Sequence, residues 1–210
     1  MRFLHQPVFS RIDRGKNREN LKNTNKSRNF SKTIRKNQLL CLFLRQIKIR
    51  FMERNLFLEL LEDNNKVSLY SPHFEGEEYS EFEKFLLAYK DTYPDDIRQL
   101  VYRLDIIKRD GAEDRHFRYE GTCRDRVMAL PSHLETTSLR LYLLNINAKI
   151  LILGNGGLKT TATYEEDAVL HKCVQTLQKI DIQMKQMEKR RVITVTGTKL
   201  LGTLTFSIDD

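Results

Sequence analysis

Cysteine, proline and glycine are scarce in this sequence: 210 residues contain three cysteines, four prolines and nine glycines. So little glycine and proline excludes a collagen-like chain. Cys41, Cys123 and Cys173 are too few and too scattered for a disulfide framework or a zinc site, and they favour a reduced, cytoplasmic environment. No stretch approaches the roughly 18–20 uncharged apolar residues of a membrane-spanning helix, which excludes an integral membrane protein.

Positive charge is concentrated at one end of the chain. Residues 1–51 contain 14 Lys and Arg against Asp13 and Glu19, whereas residues 52–210 contain 22 Lys and Arg against 26 Asp and Glu. The remainder of the chain after residue 51 therefore has a balance of −4. This change in composition predicts a basic tail over 1–51. The strand pattern near the C-terminus adds a hairpin extension over 191–210, which leaves a domain over 52–190.

The basic tail contains little that a folded core buries. From residue 10 to residue 37 it is mainly Arg, Lys, Asn and Ser, a composition typical of disorder. Three interpretations stay open: sequence upstream of a true start at Met52, a solvated tail, or an arm that binds nucleic acid through its phosphates. A transit peptide is a further alternative, although the apolar run 39–44 lies far from the N-terminus and no small-residue cleavage site follows it.

Apolar residues at helical spacing predict three helices. The first covers residues 79–89, and the second begins near Pro94 and ends before Gly111, so that the two form an antiparallel helical hairpin. For the third helix, Thr163 and Glu166 have the spacing of a capping box. Its predicted core face consists of Leu170, Cys173, Val174, Leu177, Ile180, Met184 and Met187.

Alternating apolar residues predict the strands. Residues 57–63 and 66–71 are two short strands, and residues 115–120, 125–130, 139–144 and 149–153 form an antiparallel meander. Residues 191–207 form a hairpin that turns near Gly197. The expected fold class is therefore α+β: an N-terminal helical hairpin packed on an antiparallel β-sheet of about four strands, followed by a C-terminal helix and a short β-hairpin.

A glycine-rich segment runs from Gly154 to Thr160. A phosphate-binding P-loop has Lys directly after its last glycine, but here Leu158 separates Gly157 from Lys159. The segment also follows a strand of a meander rather than of a βαβ unit. A glycine bulge in the strand is the favoured interpretation, and a loop that lets a nucleic-acid backbone approach is the alternative.

Basic residues on the predicted sheet are the stronger functional signal. They lie on strands or strand ends that we expect to be neighbours: Arg115, Arg118, Arg124, Arg126, Arg140 and Lys159. On one face they would form a groove for phosphate, because guanidinium groups match phosphate oxygens. The alternative is an ordinary exposed face whose arginines pair with Asp114, Glu120 and Asp125. The histidines His73, His116, His133 and His171 show no metal-ligand spacing, so we expect neither a metal nor another cofactor.

The order of these motifs resembles the RelE/ParE superfamily of bacterial toxins, particularly its phage-derived HigB-like branch. Such proteins have two helices, an Arg-bearing strand, an RLYY-like strand, a hairpin partner ending near Lys-Lys-Thr, and a helix. Phe117-Arg118 fits the first strand, Arg140-Leu141-Tyr142 the second, and Lys159-Thr160 the third. The resemblance spans roughly residues 66–185. One basic residue stands where two are common in the family, and the C-terminal hairpin is additional.

The resemblance implies the toxin of a type II toxin–antitoxin pair, a metal-free endoribonuclease that cleaves mRNA on the ribosome and is inhibited by a cognate antitoxin. It implies catalytic roles for Arg118, Arg140 and Tyr142, with His116 as a weaker candidate for proton transfer. RNA contacts are implied for Arg115, Arg126 and Lys159. Two alternatives stay open: a RelE-fold binding module without catalysis, which the −4 balance favours, and a ParE-like gyrase inhibitor.

Overall fold

The computed structural model describes residues 53–132 and 137–209. The predicted basic tail and His133 therefore lie outside the described residues. The strands are β1 (Glu53–Asp63), β2 (Ser68–Phe74), β3 (Arg118–Tyr119), β4 (Val127–Leu130), β5 (Leu139–Asn147), β6 (Ile150–Leu158), β7 (Ile193–Thr196), β8 (Lys199–Gly202) and β9 (Thr205–Asp209). The helices are α1 (Glu81–Tyr89), α2 (Pro94–Asp110) and α3 (Ala168–Lys189).

Seven of the strands form one mixed sheet in the order β3-β4-β5-β6-β2-β1-β9. Residues 68–70 of β2 run parallel to residues 150–152 of β6, whereas the other neighbours in the sheet are antiparallel. The strands β7 and β8 pair separately as a two-stranded sheet. The last strand, β9, then returns to the main sheet and pairs with β1.

The predicted fold class, an N-terminal helical hairpin on about four antiparallel strands, is wrong. A strand pair, β1 and β2, begins the described part of the chain, and the sheet has seven strands and is mixed. The alternation of apolar residues indicates which side chains of a strand are buried, but not which strand lies beside it. The parallel contact of β2 with β6 joins segments about 80 residues apart, and no local pattern encodes it.

Helices cover the main sheet on both faces. One core lies between the sheet and the helices α1 and α2, and includes Phe85, Leu104 and Leu141. The other core lies between the sheet, α3 and the β7–β8 pair, and includes Tyr142 and Leu177. The central strands β5 and β6 are therefore buried on both faces along most of their length.

Polar caps set the starts of two helices. Ser80 and Glu83 form a capping box at α1, with the Ser80 backbone N–H donating to Glu83 Oε2 at 2.9 Å. The capping box predicted at Thr163 and Glu166 does not begin α3. Thr163 precedes a 3-10 turn that ends at Glu166. The helix α3 starts after Asp167, whose carboxylate accepts hydrogen bonds from two backbone N–H groups of the first turn of α3. None of the helices in the described ranges has the length and apolar composition needed to cross a membrane.

His73 on β2 lies between two hydrogen-bond acceptors. Its Nε2 is 2.9 Å from the Glu77 carbonyl oxygen, its Nδ1 is 2.8 Å from Glu59 Oε2, and its ring stacks on Phe57. The Glu77 carbonyl and the Glu59 carboxylate raise the pKa of His73 above its usual value, because both favour the doubly protonated ring.

A raised folded-state pKa means that protonated His73 stabilises the fold at low pH, and that this contribution is lost as pH rises through that pKa. We expect His73→Phe, which keeps a ring against Phe57, to lower the free energy of unfolding more at about pH 5 than at about pH 9. Urea denaturation at the two pH values measures this difference. An equal loss at both would show that folding does not raise the pKa of His73.

Candidate functional site

Three of the predicted basic residues meet on the α3 face of the sheet. Arg118 on β3 is paired in register with Ala129 on β4, which is paired with Tyr142 on β5. Arg140, two residues before Tyr142, lies on the same face as Tyr142. Lys159 directly follows β6, next to the start of β5. We call Arg118, Arg140 and Lys159 the cationic cluster.

Arg140 is the most buried member of the cationic cluster, with 8% of its surface exposed. Its Nη1 donates hydrogen bonds to the carbonyl oxygens of Thr137, at 2.9 Å, and Leu139, at 3.0 Å. Its Nε is also buried, but has no hydrogen-bond partner. In the described part of the chain, no carboxylate forms an ion pair with this guanidinium. Backbone carbonyls therefore hold one edge of Arg140 in place, and the buried Nε–H has no acceptor among the described residues.

Arg118 has a single carboxylate partner. Its Nε lies 2.8 Å from Glu120 Oε1, and both side chains are mostly buried, with 16% and 13% exposed. The Nε–H does not point at this oxygen, so the contact is an ion pair without a hydrogen bond. The alternative predicted from sequence, that acidic neighbours neutralise the sheet's arginines, holds in this cluster for Arg118 alone.

The members of the cationic cluster lie within each other's electrostatic field. Burial, followed by the charge of Arg118, lowers the pKa of Arg140. Burial, followed by Arg118 and Arg140, lowers the pKa of Lys159. The negative charge of Glu120 opposes the lowering of both pKa values, and that of Asp96 opposes the lowering of the Arg140 pKa. The Asp96 carboxylate also accepts two backbone hydrogen bonds at the start of β5. Positive charge therefore exceeds negative charge in a poorly hydrated place, which favours binding of an anion.

Tyr142 lies beneath the cationic cluster rather than on its surface. Its side chain is 1% exposed, it packs edge-to-face with Tyr164, and burial raises its pKa. The catalytic role that the resemblance implies for Tyr142 would need contact with the substrate, which a buried side chain does not have. Tyr164 is partly exposed, and burial together with a hydrogen bond to Glu165 raises its pKa to about 12. Sequence reasoning missed Tyr164 because it lies in a turn outside the strand pattern.

The other two predicted RNA-binding arginines do not join the cationic cluster. Arg115 is exposed in a 3-10 turn before β3, where its Nε lies 3.2 Å from Glu113 Oε2. Arg126 donates from Nε to Asp181 Oδ1 at 2.6 Å and from Nη1 to Glu188 Oε1 at 3.2 Å, both on α3. Arg126 therefore links α3 to the sheet, and the hydrogen-bond donors that contact Asp181 and Glu188 are not free to bind RNA.

His116 is also separate from the cationic cluster. The predicted strand over 115–120 would place His116 on the same face as Arg118, but residues 114–116 form a 3-10 turn and β3 contains only two residues. His116 is 4% exposed, and burial, followed by the charges of Arg115 and Arg103, lowers its pKa. Across the described residues, no three His, Cys, Asp or Glu side chains are grouped as metal ligands would be.

The glycine-rich segment forms the second half of β6 and places Arg140. Pairing between β5 and β6 shifts in register between Leu141 and Leu143, where we predicted a bulge. At Gly156, a Cβ atom would lie 1.9 Å from the Arg140 carbonyl oxygen, so only glycine allows this approach. The close contact fixes the backbone of Arg140 against β6, which ends one residue before Lys159.

Comparison of the chain with protein-family models, with curated proteins and with solved structures finds no match. The function therefore has to follow from the geometry and charge of the cationic cluster, together with the order of the motifs along the chain.

Proposed function

We propose that the chain is the toxin of a type II toxin–antitoxin pair and cleaves mRNA on the ribosome without a metal ion, in the cytoplasm. The observation that carries the proposal is Arg140: a buried guanidinium with an unpartnered Nε–H, no carboxylate partner among the described residues, and two more cations beside it. Burying a charge without a partner costs several kcal/mol, which an anionic ligand offsets.

The order of elements supports this proposal. Two helices precede the strand that bears Arg118, and Arg140-Leu141-Tyr142 lies on β5. Lys159 and Thr160 follow the hairpin partner β6, and a helix comes next. This is the order on which the resemblance to the RelE/ParE toxins rests.

In this function the cationic cluster binds the scissile phosphate. The substrate's own 2′-hydroxyl attacks that phosphate, and the pentacoordinate phosphorane carries more negative charge than the ground state. Arg118 and Arg140 stabilise this charge, and Lys159 neutralises the neighbouring backbone. A cognate antitoxin inhibits the toxin by covering the same face.

A binding module without catalysis is the second candidate function. The −4 balance of residues 52–210 favours it, because binding to the ribosome usually requires a strongly basic surface. A gyrase inhibitor, which would need no RNA-cleaving residues, is the remaining alternative.

Induced expression of the chain in a bacterial host tests the proposal, with mRNA cleavage mapped by primer extension. We expect growth arrest with cleaved mRNA, and a loss of cleavage of about 100- to 1000-fold in Arg140→Ala. Arg140→Lys keeps the charge but lacks the guanidinium fork, so its activity should fall between the two. Arg98→Ala removes an exposed arginine of α2 that pairs with Asp95, and should cleave like the unchanged chain.

The outcomes separate the three functions. Growth arrest with intact mRNA would point to gyrase or another target. If the protein is soluble and folded but neither arrests growth nor cleaves mRNA, the non-catalytic module is the better explanation.

A further inference from the structure

Glu120 is the carboxylate that pairs with Arg118 of the cationic cluster. Its side chain is only 13% exposed, and Arg118 Nε lies 2.8 Å from its Oε1. It acts electrostatically on both Arg140 and Lys159. Among the described residues, none donates a hydrogen bond to either of its carboxylate oxygens. Neither oxygen is among the buried polar atoms that lack a partner, so both keep contact with solvent and can be reached by a substrate.

Cleavage of RNA by its own 2′-hydroxyl requires two proton transfers besides charge stabilisation. One group must accept the proton of the 2′-hydroxyl, and another must protonate the departing 5′-oxygen. Tyr142 is fully buried, and His116 is buried in a turn outside the cationic cluster. An arginine does not lose its proton at neutral pH. Glu120, the ion-pair partner of Arg118, is then the group at this site that can accept a proton, and Lys159 is the group that can give one.

We propose that Glu120 accepts the proton of the 2′-hydroxyl and that Lys159 donates a proton to the leaving 5′-oxygen. As the O2′–H bond breaks, the proton passes to Glu120 and the O2′–P bond forms. The P–O5′ bond then breaks while a proton passes from Lys159 Nζ to O5′. The products are a 2′,3′-cyclic phosphate and a free 5′-hydroxyl, and proton exchange with water restores both side chains.

The environment of Lys159 suits this role. Burial and the two arginines lower the pKa of its ammonium group, which makes it a stronger acid than a free lysine. The role differs from the charge neutralisation that the resemblance implies for this residue. The inference rests on the proposed ribonuclease function, and its test separates the failure of one from the failure of the other.

The test compares Glu120→Gln with the unchanged full chain, using mRNA cleavage on purified ribosomes and binding of a labelled RNA oligonucleotide. We expect Glu120→Gln to reduce cleavage by about 100-fold or more, because a positioned base contributes about 10²–10⁴-fold. RNA binding should stay equal or become tighter, because a negative charge beside the phosphate is removed. Glu188→Gln is the matched control: it also removes an arginine-paired carboxylate, at Arg126, and should leave cleavage unchanged.

The pH dependence of cleavage distinguishes a proton acceptor from a structural ion pair. The unchanged chain should give a bell-shaped profile; Glu120→Gln should lose its acidic limb and Lys159→Arg its alkaline limb. If Glu120→Gln does not fold, as judged by circular dichroism, Glu120→Asp replaces it and should keep the acidic limb at a lower rate.

Each result decides the inference. Equal cleavage by Glu120→Gln and the unchanged chain would overturn the role of Glu120 and leave the ribonuclease function standing. Loss of RNA binding in Glu120→Gln, or an unchanged acidic limb, would assign Glu120 to the structure of the cluster instead. No cleavage by the unchanged chain would remove the proposed function, and the proton transfers with it.

Discussion

Replacing Asp181 with alanine is expected to lower the free energy of unfolding by about 3 kcal/mol. This carboxylate on α3 is fully buried, and it accepts hydrogen bonds from Arg126 Nε at 2.6 Å and from the Arg126 backbone N–H at 3.2 Å. Lys185 Nζ lies 2.6 Å from Asp181 Oδ2, the oxygen that also accepts from the Arg126 backbone N–H. The substitution would leave two cations without this partner where α3 meets β4. Because Glu188 still pairs with Arg126, the loss falls at the lower end of the range for a broken buried pair.

Thermal and urea unfolding measure this effect, and a loss of about 3 kcal/mol corresponds to roughly 6–12 °C in melting temperature. Asp105→Ala is the matched control, because Asp105 also pairs with a lysine, at 2.7 Å, but on the exposed surface of α2. Such a pair contributes about 0.5 kcal/mol or less. Equal losses in the two variants would show that burial does not strengthen the Asp181 interactions.

Gly156→Ala is expected to destabilise the fold by a similar amount and to weaken phosphate binding. The new Cβ would lie 1.9 Å from the Arg140 carbonyl oxygen and 2.9 Å from the Arg140 carbonyl carbon, which are backbone atoms. No side-chain rotation relieves such a contact, so β5 and β6 must separate. Overpacking of this kind costs about 3 kcal/mol, and the backbone of Arg140 moves with β5.

The adjacent glycine provides a control for the Gly156 prediction. At Gly157, a Cβ would meet only the ends of side chains, Leu170 Cδ2 at 3.0 Å and the Tyr89 hydroxyl at 3.2 Å. These side chains adjust, so Gly157→Ala should cost about 1 kcal/mol. Urea unfolding and binding of a labelled RNA oligonucleotide measure both variants. A Gly156→Ala protein with unchanged stability would show that β5 and β6 do not require this close approach.

The candidate site was partly predictable because strand periodicity places alternate residues on one face. Arg118 and Arg140 were assigned to the sheet from that pattern, and Lys159 from its place after a strand. Arg126 follows the same rule, but its use depends on Asp181, which lies on a helix 55 residues later. Asp181 directly follows Ile180 and is buried on the apolar face of the helix. The sequence contains nothing that distinguishes it from a solvent-exposed aspartate.

Glu120 and Tyr142 are two residues of the candidate site whose surroundings could not be predicted from the sequence. The sequence contains the alternation that places Glu120 on the face of Arg118, yet it does not indicate that neither oxygen would receive a hydrogen bond. Tyr142 fitted a family-like motif and was predicted to reach the substrate, but α3 and the turn that holds Tyr164 cover it. Burial depends on what packs over a residue, and that partner comes from a distant part of the chain.

Local sequence was sufficient for the charge division near residue 51, for the helices α2 and α3, for the strands β4 and β5, and for the first half of β6. Each of these depends on residues a few positions apart. Tertiary structure alone decided that β2 runs parallel to β6, that β9 pairs with β1, and that Arg118, Arg140 and Lys159 lie within each other's electrostatic field. These contacts depend on which surfaces pack together across the chain, and packing free energy, rather than local periodicity, selects among the alternatives.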